Sequence, residues 1–167
     1  FRHVIDVGGS RGSKALAILR RHPAMTALVV DRPQVVAEAR RYWAGQPGEG
    51  VERLRFEPGD LFEGLPAATG PQDVYLLSAV LHGFDDAQCV RALRQVRSAI
   101  GSSGAGAAIL EMVLPETGAD LAGASFDMQM FVGCRGRERS LGEWKALFQA
   151  AGLALEDVSG LMYEPWR

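Results

Sequence analysis

The chain has 167 residues, 47% of them hydrophobic, and 18 Lys and Arg against 20 Asp and Glu, for a formal net charge of −2. That is enough for one ordinary globular domain with a real core, and the charge balance gives no reason to expect nucleic acid or an anionic membrane as partner. No apolar run approaches the ~20 residues of a membrane span, and no signal peptide is expected. Cys89 and Cys134, the two cysteines, read as reduced thiols of a cytoplasmic protein rather than as a disulfide framework.

In chain order, His3–Val7 reads as a strand and Ser13–Arg21 as a helix with Ser13 or Ser10 near its N-cap. Ala27–Asp31 is a second strand, followed by a helix with Pro33 in its first turn, where a missing N–H costs nothing. Val51–Phe56 alternates well enough for a third strand, and Asp73–Leu77 is a fourth. Over Asp85–Ile100 the apolar residues Cys89, Leu93, Val96 and Ile100 fall four, three and four apart, which is one helical face; Asp85 and Gln88 make a capping box at its start. Gly104–Leu110 is a fifth strand, and Asp120–Val132 is helical in pattern. Ser140–Ala151 is the clearest helix: Ser140 and Glu143 form a capping box, Trp144, Leu147, Phe148 and Ala151 form the apolar stripe, and Gly152 stands just past its end. Leu153–Val158 begins a further strand, and Tyr163–Arg167 ends without a closing strand or turn, so the last strand is expected to be incomplete. Strands separated by helices predict an α/β chain, a Rossmann-like doubly wound, mostly parallel sheet with helices on both faces. Its ligand is expected outside the carboxyl ends of the strands.

The first strand–helix turn, Asp6-Val-Gly-Gly-Ser-Arg-Gly12, carries the chemistry. Gly8, Gly9 and Gly12 have no Cβ, so the backbone there can approach a ligand closely. A dinucleotide fingerprint starting from Gly8 needs glycine where this chain has Ser10 and Ser13, a poor match. The acid before the loop and the spacing Asp6-x-Gly8-x-x-x-Gly12 fit an S-adenosylmethionine site better. Two later acids agree. Asp31 ends the second strand, where a carboxylate accepts from both ribose hydroxyls and would repel a 2′-phosphate. Asp60, in Gly59-Asp-Leu-Phe62, follows the third strand, where an acid can accept from an adenine amino group while Leu61 packs on the ring. A single such acid is more often a helix N-cap or a solvated loop charge. Three acidic strand ends in register point to a nucleoside.

With these residues in place, the chain resembles the catalytic domain of S-adenosylmethionine-dependent O-methyltransferases of the caffeate/hydroxyindole type, a class I methyltransferase fold. The resemblance rests on Val4-Ile-Asp-Val-Gly-Gly-Ser-Arg-Gly12, Val30-Asp-Arg-Pro-Gln-Val-Val36, Gly59-Asp-Leu-Phe-Glu-Gly-Leu-Pro66, Tyr75-Leu-Leu-Ser-Ala-Val-Leu-His-Gly-Phe-Asp-Asp86, Leu110-Glu-Met-Val-Leu-Pro-Glu116 and Gly136-Arg-Glu-Arg-Ser140, in family order across nearly the whole chain. It implies residues 1–167 to be the S-adenosylmethionine-binding catalytic domain, with the family's N-terminal helical dimerisation domain, and the homodimer made through it, outside them. It implies a small aromatic hydroxyl-bearing acceptor, S-adenosylhomocysteine as product, no metal, and a cytoplasmic enzyme.

The resemblance also distributes roles. The catalytic base falls on His82, and the carboxylates around it match Glu111 and Glu138. Asp6, Gly8, Gly9, Gly12, Asp31, Arg32, Asp60, Leu61 and Ser78 fall in the cofactor site. Phe84, Asp127, Met128 and Phe131, with Met130, are candidates for the acceptor pocket, although Met and Phe at that spacing are as often core. His3 and His22 read as structural. A histidine suits its position because a phenol, with a pKa of roughly 10, attacks a methyl group poorly at neutral pH, whereas an imidazole near ~6.5 takes the proton as the oxygen attacks. A neighbouring carboxylate can hold the tautomer and stabilise the imidazolium. The chain departs from the family at Gly83-Phe84, where Asp-Trp is usual, at Ser78, where plant members often carry lysine, and at Ser10, in place of a third glycine. Decarboxylation or hydroxylation by a family member, a non-catalytic nucleoside-binding module, and a nicotinamide-dependent dehydrogenase are the competing readings.

Overall fold

The computed structural model describes residues 1–46, 48–118 and 120–160. Five parallel strands form the sheet: β1 (His3–Val7), β2 (Thr26–Asp31), β3 (Leu54–Pro58), β4 (Asp73–Ser78) and β5 (Gly106–Leu110), in the spatial order β3-β2-β1-β4-β5. The chain therefore reverses direction across the sheet at β1, and the crevice of a doubly wound sheet lies at that switch point. Among the described residues five α-helices accompany the strands: α1 (Ser13–Arg21), α2 (Pro33–Ala44), α3 (Asp86–Ile100), α4 (Leu121–Cys134) and α5 (Leu141–Ala151). No helix among the described residues is long and apolar enough to cross a membrane.

The central strands are buried on both faces, as parallel strands between helices must be. Side chains alternate across the sheet, so Val4, Val29, Val74 and Leu76 pack with Ala15, Leu16 and Leu19 of α1. Ile5, Val7, Val30, Tyr75 and Leu77 face the other way, onto Cys89, Leu93 and Val96 of α3 and Trp144 and Leu147 of α5. Asp6 shares the α1 face with Val4 by the same alternation. Two capping boxes fix where the helices of the second layer begin: Asp85 accepts from the Gln88 N–H at 2.8 Å, and Ser140 accepts from the Glu143 N–H at 3.3 Å, each answered by the other residue's side chain.

Several expected boundaries move. α1 is capped by neither serine: Gly12, left-handed at φ 74°, is its N-cap, with no side-chain capping bond. Val51–Arg53 is a 3-10 turn, and the third strand begins only at Leu54, where pairing with Ala27 starts. The fifth strand begins at Gly106, because Gly104 is left-handed at φ 78°. Leu153–Val158 is not a strand; no described strand lies beside it to pair with, and Leu155 and Val158 are exposed. The expected incomplete end at Tyr163–Arg167 lies outside the described residues. Two short strands add a separate pair, β6 (Val113–Leu114) and β7 (Arg139–Ser140).

Leu93→Ala opens a cavity at a position with no exposed surface, and is expected to lower the unfolding free energy by about 2–5 kcal/mol. Asp85→Ala removes only a cap and should cost about 1 kcal/mol. Urea denaturation with an unchanged slope checks both.

Candidate active site

A cleft of about 580 Å³ opens at the carboxyl ends of β1 and β4, lined by Asp6, Gly8, Gly9, Ser10, Arg11, Ser13, Lys14, Glu38, Ser78 and Ala79. The turn's glycines are required first by the protein's own packing. Gly8 is left-handed at φ 71°, and a Cβ there would lie 2.9 Å from Val80 Cγ2. A Cβ on Gly12 would lie 3.0 Å from Val29 Cγ2, and one on Gly9 would run into the Asp6 carboxylate. Gly12 is buried against the sheet and does not line the cleft. The close approach seen here is thus between strand, turn and helix, with Gly8 and Gly9 also forming the cleft floor.

Asp6 is 1% exposed, and its Oδ2 has no hydrogen-bond partner. Burial pushes its carboxyl up to about 6; the Lys14 charge pulls it down, Asp31 pushes it further up, and the Ala15 N–H pulls it down. Asp31 ties the end of β2 to the glycine turn: its Oδ2 accepts from the Ser10 N–H at 2.9 Å and its Oδ1 from the Arg32 N–H at 2.7 Å. The bond from the Ser10 N–H holds Ser10 in a left-handed conformation, φ 54°. Each Asp31 oxygen keeps a lone pair for a further donor. Asp60 is exposed at the end of β3, with Oδ1 accepting from the Phe62 N–H at 2.8 Å in an Asx turn. Leu61 packs against the α3-side core. Arg32 is exposed at the start of α2 and does not line the cleft.

After β4 the chain turns sharply. Ala79 is left-handed at φ 57°, a conformation that needs support in a residue with a Cβ. Glu111, just beyond β5, supplies it: one carboxylate oxygen, Oε1, accepts from the Val80 N–H at 2.9 Å and the Leu81 N–H at 2.7 Å. Those bonds set the 3-10 turn Leu81–Gly83 that carries His82. The other oxygen, Oε2, lies 3.5 Å from His82 Nδ1. Glu138 Oε1 lies 2.9 Å from the same nitrogen. Both carboxylate side chains are 2% exposed and the imidazole is 22% exposed. Burial raises the Glu138 carboxyl above the usual range; its hydrogen bond to His82 and the imidazole's charge oppose that, and Glu111 and Asp127 reinforce it. The Glu138 acceptor, with the Glu111 charge beside it, favours the tautomer with its proton on Nδ1; Glu111 Oε2 and Glu138 Oε2 themselves have no hydrogen-bond partner. Among the described residues, Nε2 has no hydrogen-bond partner. His82, Glu111 and Glu138 also form a donor set with ligand atoms within 4.8 Å of one another, so the same three could hold a metal ion.

Glu138 reaches His82 because the loop after α4 lies directly on the His82 turn. The Arg137 N–H donates to the His82 carbonyl at 2.9 Å, and a Cβ on Gly136 would run into that same oxygen. Asp127, on α4, accepts from the Glu138 N–H at 2.8 Å, so its role here is to hold Glu138. Arg139 was not anticipated as a site residue. It has no exposed surface, and its guanidinium donates to the Phe84 carbonyl at 2.7 Å, the Leu81 carbonyl at 3.4 Å and Asp86 Oδ1 at 2.9 Å, lying 5.2 Å from the centre of the Trp144 ring. One buried fork thus brackets the His82 turn on both sides. Its place between Glu138 and the capping residue Ser140 was the available signal.

The acceptor candidates divide. Phe84 turns its ring against Phe62, centroids 5.0 Å apart, within the α3-side core. Met128 and Phe131 are 60% and 65% exposed on α4, and Met130 is partly buried. Cys89 is buried and Cys134 exposed, both as free thiols. His3 bonds Thr26 at 2.8 Å, and His22 ends α1, both remote from the cleft lining.

Arg139→Met leaves the Leu81 and Phe84 carbonyls without their donor, and is expected to cost about 1–3 kcal/mol of stability. Arg139→Lys keeps the charge but not the planar fork, and should fall between that and the parent in urea denaturation.

A model of the O-methyltransferase domain matches residues 1–154. The 3-amino-4-hydroxybenzoate 4-O-methyltransferase of Streptomyces cremeus is 38% identical over 165 residues, 98% of this chain and 43% of that protein. The phenazine O-methyltransferase of Lysobacter antibioticus is 38% identical over 158 residues, 95% of this chain and 45% of that protein. Among solved structures, an O-methyltransferase from neocarzinostatin biosynthesis, in complex with S-adenosyl-L-homocysteine and 1,4-dihydroxy-2-naphthoic acid, matches with a TM-score of 0.78 at 36% identity, over 93% of this chain and 44% of that one. The chain spans less than half the length of these relatives. With the parallel sheet, the glycine turn and the His82 cluster in family order, the chain belongs to the O-methyltransferase domain family.

Proposed function

We propose that the intact protein transfers a methyl group from S-adenosylmethionine to a hydroxyl, phenolic in class, of a small aromatic acceptor, with His82 as general base. The observation that carries this reading is the convergence of two buried carboxylates on one nitrogen of His82. The Glu138 hydrogen bond and the closer approach of Glu111 are both made at Nδ1, so Nε2 is left to meet a substrate. As the acceptor oxygen attacks, Nε2 takes its proton, and Glu138 and Glu111 stabilise the imidazolium that results. When bound, the cofactor supplies a methyl carbon made electrophilic by its sulfonium. The remaining work of the site is to bring oxygen and methyl into line. No metal ion enters the proposed chemistry.

The cofactor's polar groups find partners in the cleft and, at the ends of β2 and β3, outside its lining. Asp6 offers an orphaned carboxylate oxygen to a cation, Asp31 keeps lone pairs for two ribose hydroxyls, and Asp60 with Leu61 offers an acceptor and an apolar face to adenine. Gly8, Gly9 and Ser78 border the same space. The structure of the O-methyltransferase from neocarzinostatin biosynthesis, in complex with S-adenosyl-L-homocysteine and 1,4-dihydroxy-2-naphthoic acid, supports both ligand classes. Met128 and Phe131 on α4, which packs against the His82 turn, are assigned to the acceptor side, with Phe84 and Asp127 acting through the turn and through Glu138. The exposed apolar residues Leu121 and Val132 on the same helix support a further protein surface over it, which we assign to the family's N-terminal helical domain and a homodimer. A cytoplasmic setting agrees with two free thiols.

His82→Ala and His82→Gln should each lower kcat for a phenolic acceptor by at least about a hundredfold, while calorimetric affinity for S-adenosylhomocysteine holds. Unchanged turnover in either variant removes His82 as the base.

The raised Asp6 carboxyl gives two opposite pH dependences. Between its ordinary 3.8 and about 6 the folded chain holds a proton that the unfolded chain has released, so this group's contribution to stability falls as pH rises through that window. An α-ammonium needs the ionised form, so affinity for S-adenosylhomocysteine should rise with pH through about 6. Asp6→Asn should flatten the latter curve in calorimetry across that range.

A further inference from the structure

Glu111 and Glu138 each keep one carboxylate oxygen that the general-base arrangement does not satisfy. Both side chains are 2% exposed, and Glu111 Oε2 and Glu138 Oε2 have no hydrogen-bond partner. A buried charged oxygen in that state is costly, and a positive ion satisfies it. Both carboxylates converge on His82 Nδ1, Glu138 Oε1 at 2.9 Å and Glu111 Oε2 at 3.5 Å. Ligand atoms of the three residues lie within 4.8 Å of one another, and among the described residues no other group of three or more His, Cys, Asp or Glu side chains gathers as closely.

The donor set selects the cation. Calcium and magnesium prefer shells built from oxygen alone. One imidazole nitrogen with two carboxylates suits a borderline cation of the zinc class, which completes a tetrahedron with water. Bonds of about 2.0–2.2 Å set its ligand atoms about 3.4 Å apart, close to the separations at Nδ1. Two carboxylates balance the charge, and the imidazole, 22% exposed, leaves a way in. The outer support is also in place. The Val80 and Leu81 amides fix Glu111 through Oε1 and leave Oε2 to ligate, and Asp127 holds the Glu138 backbone N–H.

We propose that His82, Glu111 and Glu138 form an inhibitory site for a divalent transition-metal cation of the zinc class. A neutral imidazole carries one N–H and one lone pair. A cation on Nδ1 uses the lone pair there, and the Nδ1 proton passes through solvent to Nε2. Nothing is oxidised or reduced, and the imidazole keeps its single proton. Nε2 then donates, and no longer accepts a proton from a hydroxyl. The inhibition rests on the reading of His82 as general base; the binding does not.

The test uses the intact protein, labelled with nitrogen-15 at histidine, with Zn²⁺ or Co²⁺ alone as probe. Zn²⁺ should shift the Nδ1 signal of His82 and leave its proton on Nε2, and Co²⁺ should give the visible absorption of a tetrahedral site. Methylation of a phenolic acceptor should fall at least about tenfold and return on adding a chelator. Glu111→Gln, which keeps an oxygen for the two amides, and Glu138→Gln should each weaken Zn²⁺ in calorimetry by at least about tenfold, the least that loss of even an outer-shell partner costs. Cys134→Ser, which removes the exposed thiol beside Gly83, should leave Zn²⁺ affinity and inhibition unchanged. An Nδ1 signal unmoved by Zn²⁺, equal Zn²⁺ affinity in the parent and both glutamine variants, or inhibition lost in Cys134→Ser overturns the site, and leaves the general-base reading standing. A shifted Nδ1 signal with turnover unchanged overturns the inhibition and the general-base reading together.

Discussion

The carboxylate of Glu111 does two jobs at once, and the site depends on both. One oxygen pins the Val80 and Leu81 amides, which stabilises the left-handed Ala79 and forces the chain to turn directly after β4. The other faces His82 Nδ1 across 3.5 Å. A carboxylate 2% exposed is costly to bury alone. Here two amides satisfy one oxygen, and the other, without a hydrogen-bond partner, has the imidazole 3.5 Å away. Remove the carboxylate and the turn loses its backbone partners, so the histidine is displaced as well as electrostatically altered.

Arg139 closes the same turn from the other side. Its charge is wholly buried, answered by Asp86 at the start of α3 and by the Leu81 and Phe84 carbonyls. Arg139 also lies in β7, one residue beyond Glu138. The fork that locks the His82 turn therefore locks the backbone carrying the second carboxylate. Gly136 is part of this joint, since only a residue without a Cβ lets the loop lie on the His82 carbonyl. The sheet then relates this assembly to the cleft. β1 lies between β2, which ends at Asp31, and β4, which leads into the His82 turn, so the cleft and the histidine share one end of the sheet.

What could be read from the sequence was local or periodic. Two capping boxes, Asp85 with Gln88 and Ser140 with Glu143, involve residues three apart and stand as expected. The α/β alternation was readable because α3 and α5 carry unbroken apolar faces. What failed needed partners far away in the chain. Leu153–Val158 has a strand's composition, but a strand exists only beside another. The serines near α1 have the chemistry of a cap, yet Gly12 takes that position because the turn must pass under Val29 and Leu54. Arg139 looks like a surface residue until α3, α5 and the His82 turn close around it.

The central claim is that two buried carboxylates hold His82 with its proton on Nδ1 and its lone pair on Nε2. The most direct measurement is nitrogen-15 NMR of protein labelled at histidine, with His82→Gln assigning the signal. The account predicts that the neutral imidazole of His82 is the Nδ1–H tautomer, with its lone pair on Nε2. A neutral His82 protonated at Nε2 would contradict it.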